Sequence, residues 1–149
     1  MHGLWPQYER GYPKSCAGEP FDPNQVPAGL ANIMPSPILI QHEWESHGTC
    51  SGLSETDYFK TVIQAFSKVP IPADYKGPLQ NIQVAPSDIV RKFALGTGFS
   101  QGAFALQCES NRFLKEVRVC LTKDLQGRDC SDGVHDTCSA RSVTLRPLR

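Results

Sequence analysis

Two short stretches concentrate the side chains that can move a proton. His2-Gly-Leu-Trp-Pro6 stands at the start of the chain and His42-Glu-Trp-Glu-Ser-His-Gly-Thr-Cys50 lies downstream, and together they hold three of the four histidines and both tryptophans. An imidazole titrates near neutrality, so two of them can take a proton from one oxygen and give one to another. Read as a helix, the second stretch puts Glu43 and His47 four residues apart, about 40° from each other around the axis. They then share a face, and a carboxylate there can orient the imidazole or favour its charged form. His42 and Ser46 form a neighbouring pair at the same spacing. His42 and His47 are five apart, about 140° around the helix, so they do not face one metal and the His-Glu-x-x-His zinc arrangement is rejected. A single histidine beside Trp5 would be read as a packed or surface residue. The joint occurrence of both stretches points to acid–base catalysis.

The elements that must position these groups follow from local signals. The region from His2 to Pro37 is rich in Pro, Gly and aromatic residues and reads as loop with short turns. Ile38-Leu39-Ile40 leads into a short helix over His42 to His47, with Gly48 placed to end it. Ser54 opens a stronger helix with Asp57 three residues on, a variant of the capping box, and Phe59, Val62, Ile63 and Phe66 follow at helical spacing until Pro70 and Pro72. A third helix is expected from Ser87 as N-cap through Ile89, Val90 and Phe93, ending near Gly96. Ala103 to Cys108 and Phe113 to Thr122 read as two strands joined by a turn over Glu109 to Arg112, and Ser142 to Leu145 as a final strand. Helices first and strands later imply an α+β fold, an antiparallel sheet with packed helices. A length of 149 residues fits one domain, 1–149, with a real core.

The composition narrows the class of function. Formal net charge is zero, so the total charge gives no support to strong non-specific nucleic-acid binding, although a local pocket does not need it. Six cysteines (Cys16, Cys50, Cys108, Cys120, Cys130 and Cys138) are widely spaced, with no C-x-x-C pair. That pattern suits disulfides in an oxidising compartment rather than structural zinc. No signal peptide is visible and no apolar run is long enough to span a bilayer. His135, in a Gly- and Asp-rich stretch, reads as a surface residue.

The stretch HGLWP is similar to the first active-site segment of the ribonuclease T2 family, and HEWESHGTC resembles the second. Gly11-Tyr12-Pro13 with Cys16, and Leu114-x-Glu116-Val117-x-Val119-Cys120, also resemble family segments. The resemblance implies an endoribonuclease that cleaves single-stranded RNA by transesterification. The 2′-hydroxyl attacks phosphorus, the 5′-oxygen leaves and a 2′,3′-cyclic phosphate forms, without metal or cofactor. Carried over residue by residue, His47 is the general base and His2 the general acid. Glu43 supports His47 and the transition state, and His42 contacts phosphate. Trp5 and Tyr12 contact a base, and Gln7 stands where a side chain can reach a base edge. The mechanism excludes DNA as substrate and favours mildly acidic pH. The resemblance further implies a secreted protein or one of an acidic lumenal compartment, monomeric, without membrane attachment.

Disulfides Cys16–Cys50, Cys108–Cys138 and Cys120–Cys130 are implied in the same way. The family's N-terminal strands are expected to be missing, which predicts an exposed sheet edge and slow cleavage. One departure bears on rate: the family has Lys immediately before the second histidine, and this chain has Ser46, which offers a hydrogen bond but no charge. Lys14 or Lys60 could supply the charge instead, and Ser46→Lys is expected to raise turnover. The alternative reading is a catalytically weak or inactive relative that binds RNA or another partner.

Overall fold

A computed structural model describes residues 1–147. The chain divides into two compact units, one over Met1–Lys68 and one beginning at Val69. Every histidine named above as catalytic or phosphate-binding lies in the first.

The first unit is built on two helices. Helix α1 covers Pro37–Ser46 and helix α2 covers Glu55–Lys68. α1 starts five residues earlier than the expected His42, because Pro37 occupies the first helical turn, where a missing N–H costs nothing. The Ser36 hydroxyl caps it by accepting the Leu39 N–H at 3.3 Å. Ile38-Leu39-Ile40 is thus its first turn rather than a lead-in. α2 starts as expected: the Asp57 N–H donates to Ser54 Oγ at 3.2 Å, and that hydroxyl donates to the Asp57 carboxylate at 2.9 Å. Tyr58, Phe59, Val62 and Ala65 form its buried stripe. Tyr58, Phe59 and Val62 meet Ile40 and Trp44 of α1, and Leu30 and Met34 from a short 3₁₀ turn and its exit.

α1 ends at Ser46, with His47 as its C-cap, and Gly48 begins a 3₁₀ turn. Gly48 is needed for space rather than for a left-handed backbone. A Cβ there would lie 2.3 Å from Trp44 Cε3 and 3.0 Å from Tyr58 Cδ1, inside the aromatic core.

The second unit carries strands β1 (Ile82–Val84), β2 (Phe104–Glu109), β3 (Phe113–Val119) and β4 (Val143–Leu145), with helix α3 over Pro86–Thr97. α3 begins at Pro86 after Ala85, not after Ser87, again because Pro suits the first turn. It ends at Gly98, whose φ of 74° closes the helix, two residues beyond the expected Gly96. The β2–β3 hairpin matches the expected one. Ser110 and Asn111 take φ of 50° and 59° in its turn, and the Arg112 N–H donates to the Glu109 carbonyl at 3.1 Å. β3 stops at Val119 rather than Thr122; beyond it only Leu121 forms an isolated bridge, to Gly127.

The sheet order is β1-β4-β3-β2. β1–β4 and β2–β3 are antiparallel, but β3 and β4 pair in parallel, Phe113 opposite Thr144. The fold is therefore α+β with a mixed sheet, which corrects the all-antiparallel expectation. The connection 120–142 is long enough to return the chain to the starting end of β3, so no hairpin constrains the direction of β4. Ile89 and Phe93 of α3 pack on Phe104, Leu106, Val143 and Leu145 to make this unit's core.

All three disulfides have the pairing that the resemblance implied: Cys16–Cys50, Cys108–Cys138 and Cys120–Cys130. No helix among the described residues is long and apolar enough to cross a membrane. His135 is exposed, as expected.

Candidate active site

α1 has an unusual buried face. Ile40 and Trp44 fill the core, and Glu43, one residue from Trp44, is buried with them at 1% exposure. A buried carboxylate needs donors. The Trp5 indole N–H donates to Glu43 Oε2 at 2.7 Å, and His2 Nε2 lies 3.8 Å from Glu43 Oε1. The carboxylate of α1 thus receives the first histidine stretch rather than orienting His47 from the same helix, as the spacing suggested. The helix proper ends one residue earlier: His47 is its C-cap, with non-helical φ −131° and ψ −45°. Its backbone N–H still donates to the Glu43 carbonyl at 3.0 Å.

Close approach of the two stretches depends on Gly3. A Cβ on that residue would stand 1.7 Å from Glu43 Oε2 and 2.7 Å from Trp5 Nε1. Further ties hold residues 1–5 in place. The Tyr58 hydroxyl donates to the Leu4 carbonyl at 2.8 Å, and the Met1 amino group donates to the Ile33 carbonyl at 2.5 Å. Burial, with the Glu43 charge adding to it, pushes the Tyr58 hydroxyl far above the ordinary phenol range, so it stays a donor. Trp44 is fixed in turn by its indole N–H donating to the Glu19 carbonyl at 2.9 Å.

The rings form a connected group. Trp5 sits edge-on to His2 with centroids 5.0 Å apart, and tilted against His47 at 5.5 Å. His47 in turn meets His42 edge-on at 6.5 Å. Both expected catalytic imidazoles therefore flank one indole. His42 Nδ1 lies 3.4 Å from Ser46 Oγ, the pair anticipated from their spacing.

Burial holds His47 below the usual imidazole range, helped by the charges of His42, then Lys14, then His2. Its Nδ1 is buried and accepts or donates no hydrogen bond among the described residues. A neutral imidazole can take a proton through its other ring nitrogen, since the buried Nδ1 is closed to a substrate. His2, half-exposed beside a carboxylate, can give one.

The second edge of the site is held by the chain around Cys16. The Ser15 N–H donates to the Ser46 carbonyl at 2.9 Å, and the Cys16–Cys50 bridge fixes the next residue to the 3₁₀ turn that follows His47. Tyr12 is not drawn into the ring group: it is 61% exposed, and no ring contact joins it to Trp5 or the histidines among the described residues. Gln7 is also exposed. No cluster of three or more His, Cys, Asp or Glu suited to a metal ion occurs among the described residues. The sequence reading missed Gly3 and Tyr58. Gly3 sits inside the first stretch, where a glycine between two functional side chains signals close approach. Tyr58 looks like any other core residue of an amphipathic helix.

The sequence pattern of the Ribonuclease T2 family matches residues 1–130. The chain is 36% identical over 162 residues to a ribonuclease of Aeromonas hydrophila, a match spanning 100% of this chain and 72% of that protein. It is 33% identical over 161 residues to the ribonuclease T2 protein rnst-2 of Caenorhabditis elegans, spanning 91% of this chain and 57% of that protein. Among solved structures it is similar to RNase NT in complex with 5′-AMP, with a TM-score of 0.82 at 24% identity over 99% of this chain and 82% of that one. An RNase-related protein from Calystegia sepium gives a TM-score of 0.77 at 22% identity, over 97% of this chain and 80% of that chain.

Proposed function

Because the chain belongs to the ribonuclease T2 family and is an endoribonuclease of that kind, we propose that His47 and His2 act on one phosphodiester of single-stranded RNA as general base and general acid. His47 removes the proton of the 2′-hydroxyl, the freed oxygen attacks phosphorus, and His2 protonates the departing 5′-oxygen. The products are a 2′,3′-cyclic phosphate and a new 5′-hydroxyl end. The arrangement that carries this reading is the Trp5 ring, flanked by His2 at 5.0 Å and by His47 at 5.5 Å.

The two histidines suit different jobs. Burial favours the neutral form of His47, which a base requires. His2 lies 3.8 Å from the Glu43 carboxylate, half-exposed, where its ring can reach a leaving oxygen. Glu43 thereby serves the transition state through His2 and Trp5. His42 is assigned to phosphate, with Ser46 Oγ holding its other face. We assign Trp5 and Tyr12 to the bases on either side of the scissile bond; stacking on such rings is worth about 1–3 kcal/mol per base.

The family match runs through both compact units, which supports treating 1–149 as one family domain. Three disulfides support an oxidising location, either secreted or in an acidic lumenal compartment. We take the working form to be a monomer.

Only RNA carries the attacking hydroxyl. A single-stranded oligonucleotide should therefore be cut by this protein, leave a 2′,3′-cyclic end, and resist cleavage where one 2′-deoxy residue replaces the nucleotide 5′ to the scissile bond. EDTA should leave the rate unchanged. Cleavage at the 2′-deoxy position would overturn the reading. Binding of RNA without any cleavage would overturn it as well.

A further inference from the structure

Attack on phosphorus gathers negative charge on two non-bridging oxygens, and the group that meets it should carry a positive charge at every working pH. The ring cluster does not supply one: its imidazoles lose their charge as pH rises, Glu43 adds a negative charge, and Ser46 is uncharged. We propose, resting on the reaction just described, that Lys14 is the permanent cation of this site and stabilises the phosphorane.

The backbone places it there. Ser15, the next residue, donates its N–H to the carbonyl of Ser46 at 2.9 Å, and Cys16 is bonded to Cys50, with Cα atoms 5.1 Å apart. Residues 15 and 16 are thus tied down on either side of His47 in sequence. Ser15 adopts φ of 51°, a left-handed backbone that a side-chain-bearing residue keeps only when its surroundings enforce it. Lys14 itself is exposed, and none of the ion pairs among the described residues engages it. Its charge is felt inside the site, since it opposes protonation of His47 more strongly than His2 does. Lys60, the other lysine considered, pairs with Asp57 at 3.5 Å on α2 and is absent from the groups that act on His47. An exposed ammonium carried next to the tethered Ser15 can meet a substrate phosphate without a buried charge to stabilise when the site is empty.

The test compares Lys14→Ala, Lys14→Gln, Lys14→Arg and Lys60→Ala in three readouts. These are steady-state cleavage of single-stranded RNA, inorganic phosphate affinity followed by NMR of the His47 ring, and the His47 titration itself. Removing one donor to a developing anion costs about 10²–10³-fold when buried, and an exposed, solvent-screened lysine should give about a tenfold loss. Lys14→Ala and Lys14→Gln should show that loss in kcat/KM, a matching loss of phosphate affinity and a His47 pKa that rises, with unchanged melting. Lys14→Arg should keep most of the rate, and Lys60→Ala all of it. Unchanged cleavage and phosphate affinity in Lys14→Ala would overturn the assignment while leaving the endoribonuclease reading intact. If the unaltered protein failed to cut RNA but Lys14→Ala still lost phosphate affinity, Lys14 would stand as an anion-binding residue and the reaction would fall instead. A loss in Lys60→Ala equal to that in Lys14→Ala would also overturn it, since general surface charge would then explain both.

Discussion

His47→Ala is expected to lower kcat for RNA cleavage by about 10²–10⁴-fold, the range for deleting a general acid or base, with little change in melting temperature. The two halves of that expectation come from different atoms. The rate depends on the ring, whose neutral form burial favours and which no other histidine duplicates at that position. His42 is the nearest imidazole by ring contact, at 6.5 Å, and its Nδ1 already faces Ser46 Oγ. Stability depends chiefly on the backbone: the His47 N–H bond to the Glu43 carbonyl and the Ser15 bond to Ser46 survive the substitution. Removing the ring also removes a buried nitrogen that has no hydrogen-bond partner among the described residues, which offsets part of the lost packing. Steady-state kinetics beside a thermal melt checks both. A rate within tenfold of the unaltered protein would mean that His47 is not the base.

A second large loss is expected from Gly3→Ala, which touches no proton-transferring group. The added methyl would stand 1.7 Å from Glu43 Oε2 and 2.4 Å from its Cδ, so either the carboxylate or residues 2–5 must move. Neither move is cheap. Glu43 is 1% exposed, and shifting it breaks the 2.7 Å bond from Trp5 and uncovers a buried charge. Shifting residues 2–5 instead strains the Tyr58 bond to Leu4 and displaces His2. A misplacement of about 1 Å in a reacting group can cost about 10²-fold in rate. Gly3→Ala should therefore lose about that factor in kcat and melt several degrees lower. Unaltered kcat and melting in this variant would show that the Gly3–Glu43 approach is not needed.

Residues that interact locally were readable from the chain. The Ser54–Asp57 cap, the Glu109–Arg112 turn and the β2–β3 hairpin are settled by neighbours in sequence, and the structure keeps them. Boundaries at prolines were not read well. Pro37 and Pro86 carry no periodic signal of their own, yet each opens a helix, because Pro at the first turn loses no hydrogen bond. β1 has three residues and was missed; it exists because Ile82, Gln83 and Val84 pair with Leu145, Thr144 and Val143, far away in sequence. The direction of β4 beside β3 was likewise a matter of a long connection that no local pattern encodes.

The candidate site divides the same way. Residue types and order singled out His2, Glu43 and His47, and resemblance to a known family supplied their roles and the cysteine pairing. The partners were not readable. Helical spacing matched Glu43 with His47, whereas the tertiary structure gives its carboxylate to Trp5 and His2, because α1 stops at Ser46. Lys14 gave no sign of its neighbourhood until the Ser15–Ser46 bond and the Cys16–Cys50 bridge located it.

The pH–rate profile of kcat/KM, taken with His47→Ala and His2→Ala alongside, tests most directly whether two imidazoles share one phosphodiester. Base catalysis needs His47 neutral, and its pKa lies below the ordinary imidazole value of about 6.5. Activity should therefore rise with pH along a limb centred below that value, pass through a maximum and fall as His2 loses its proton. His47→Ala should abolish the rising limb and His2→Ala the falling one. A rising limb centred at or above about 6.5, or a bell left whole in either variant, would contradict the account.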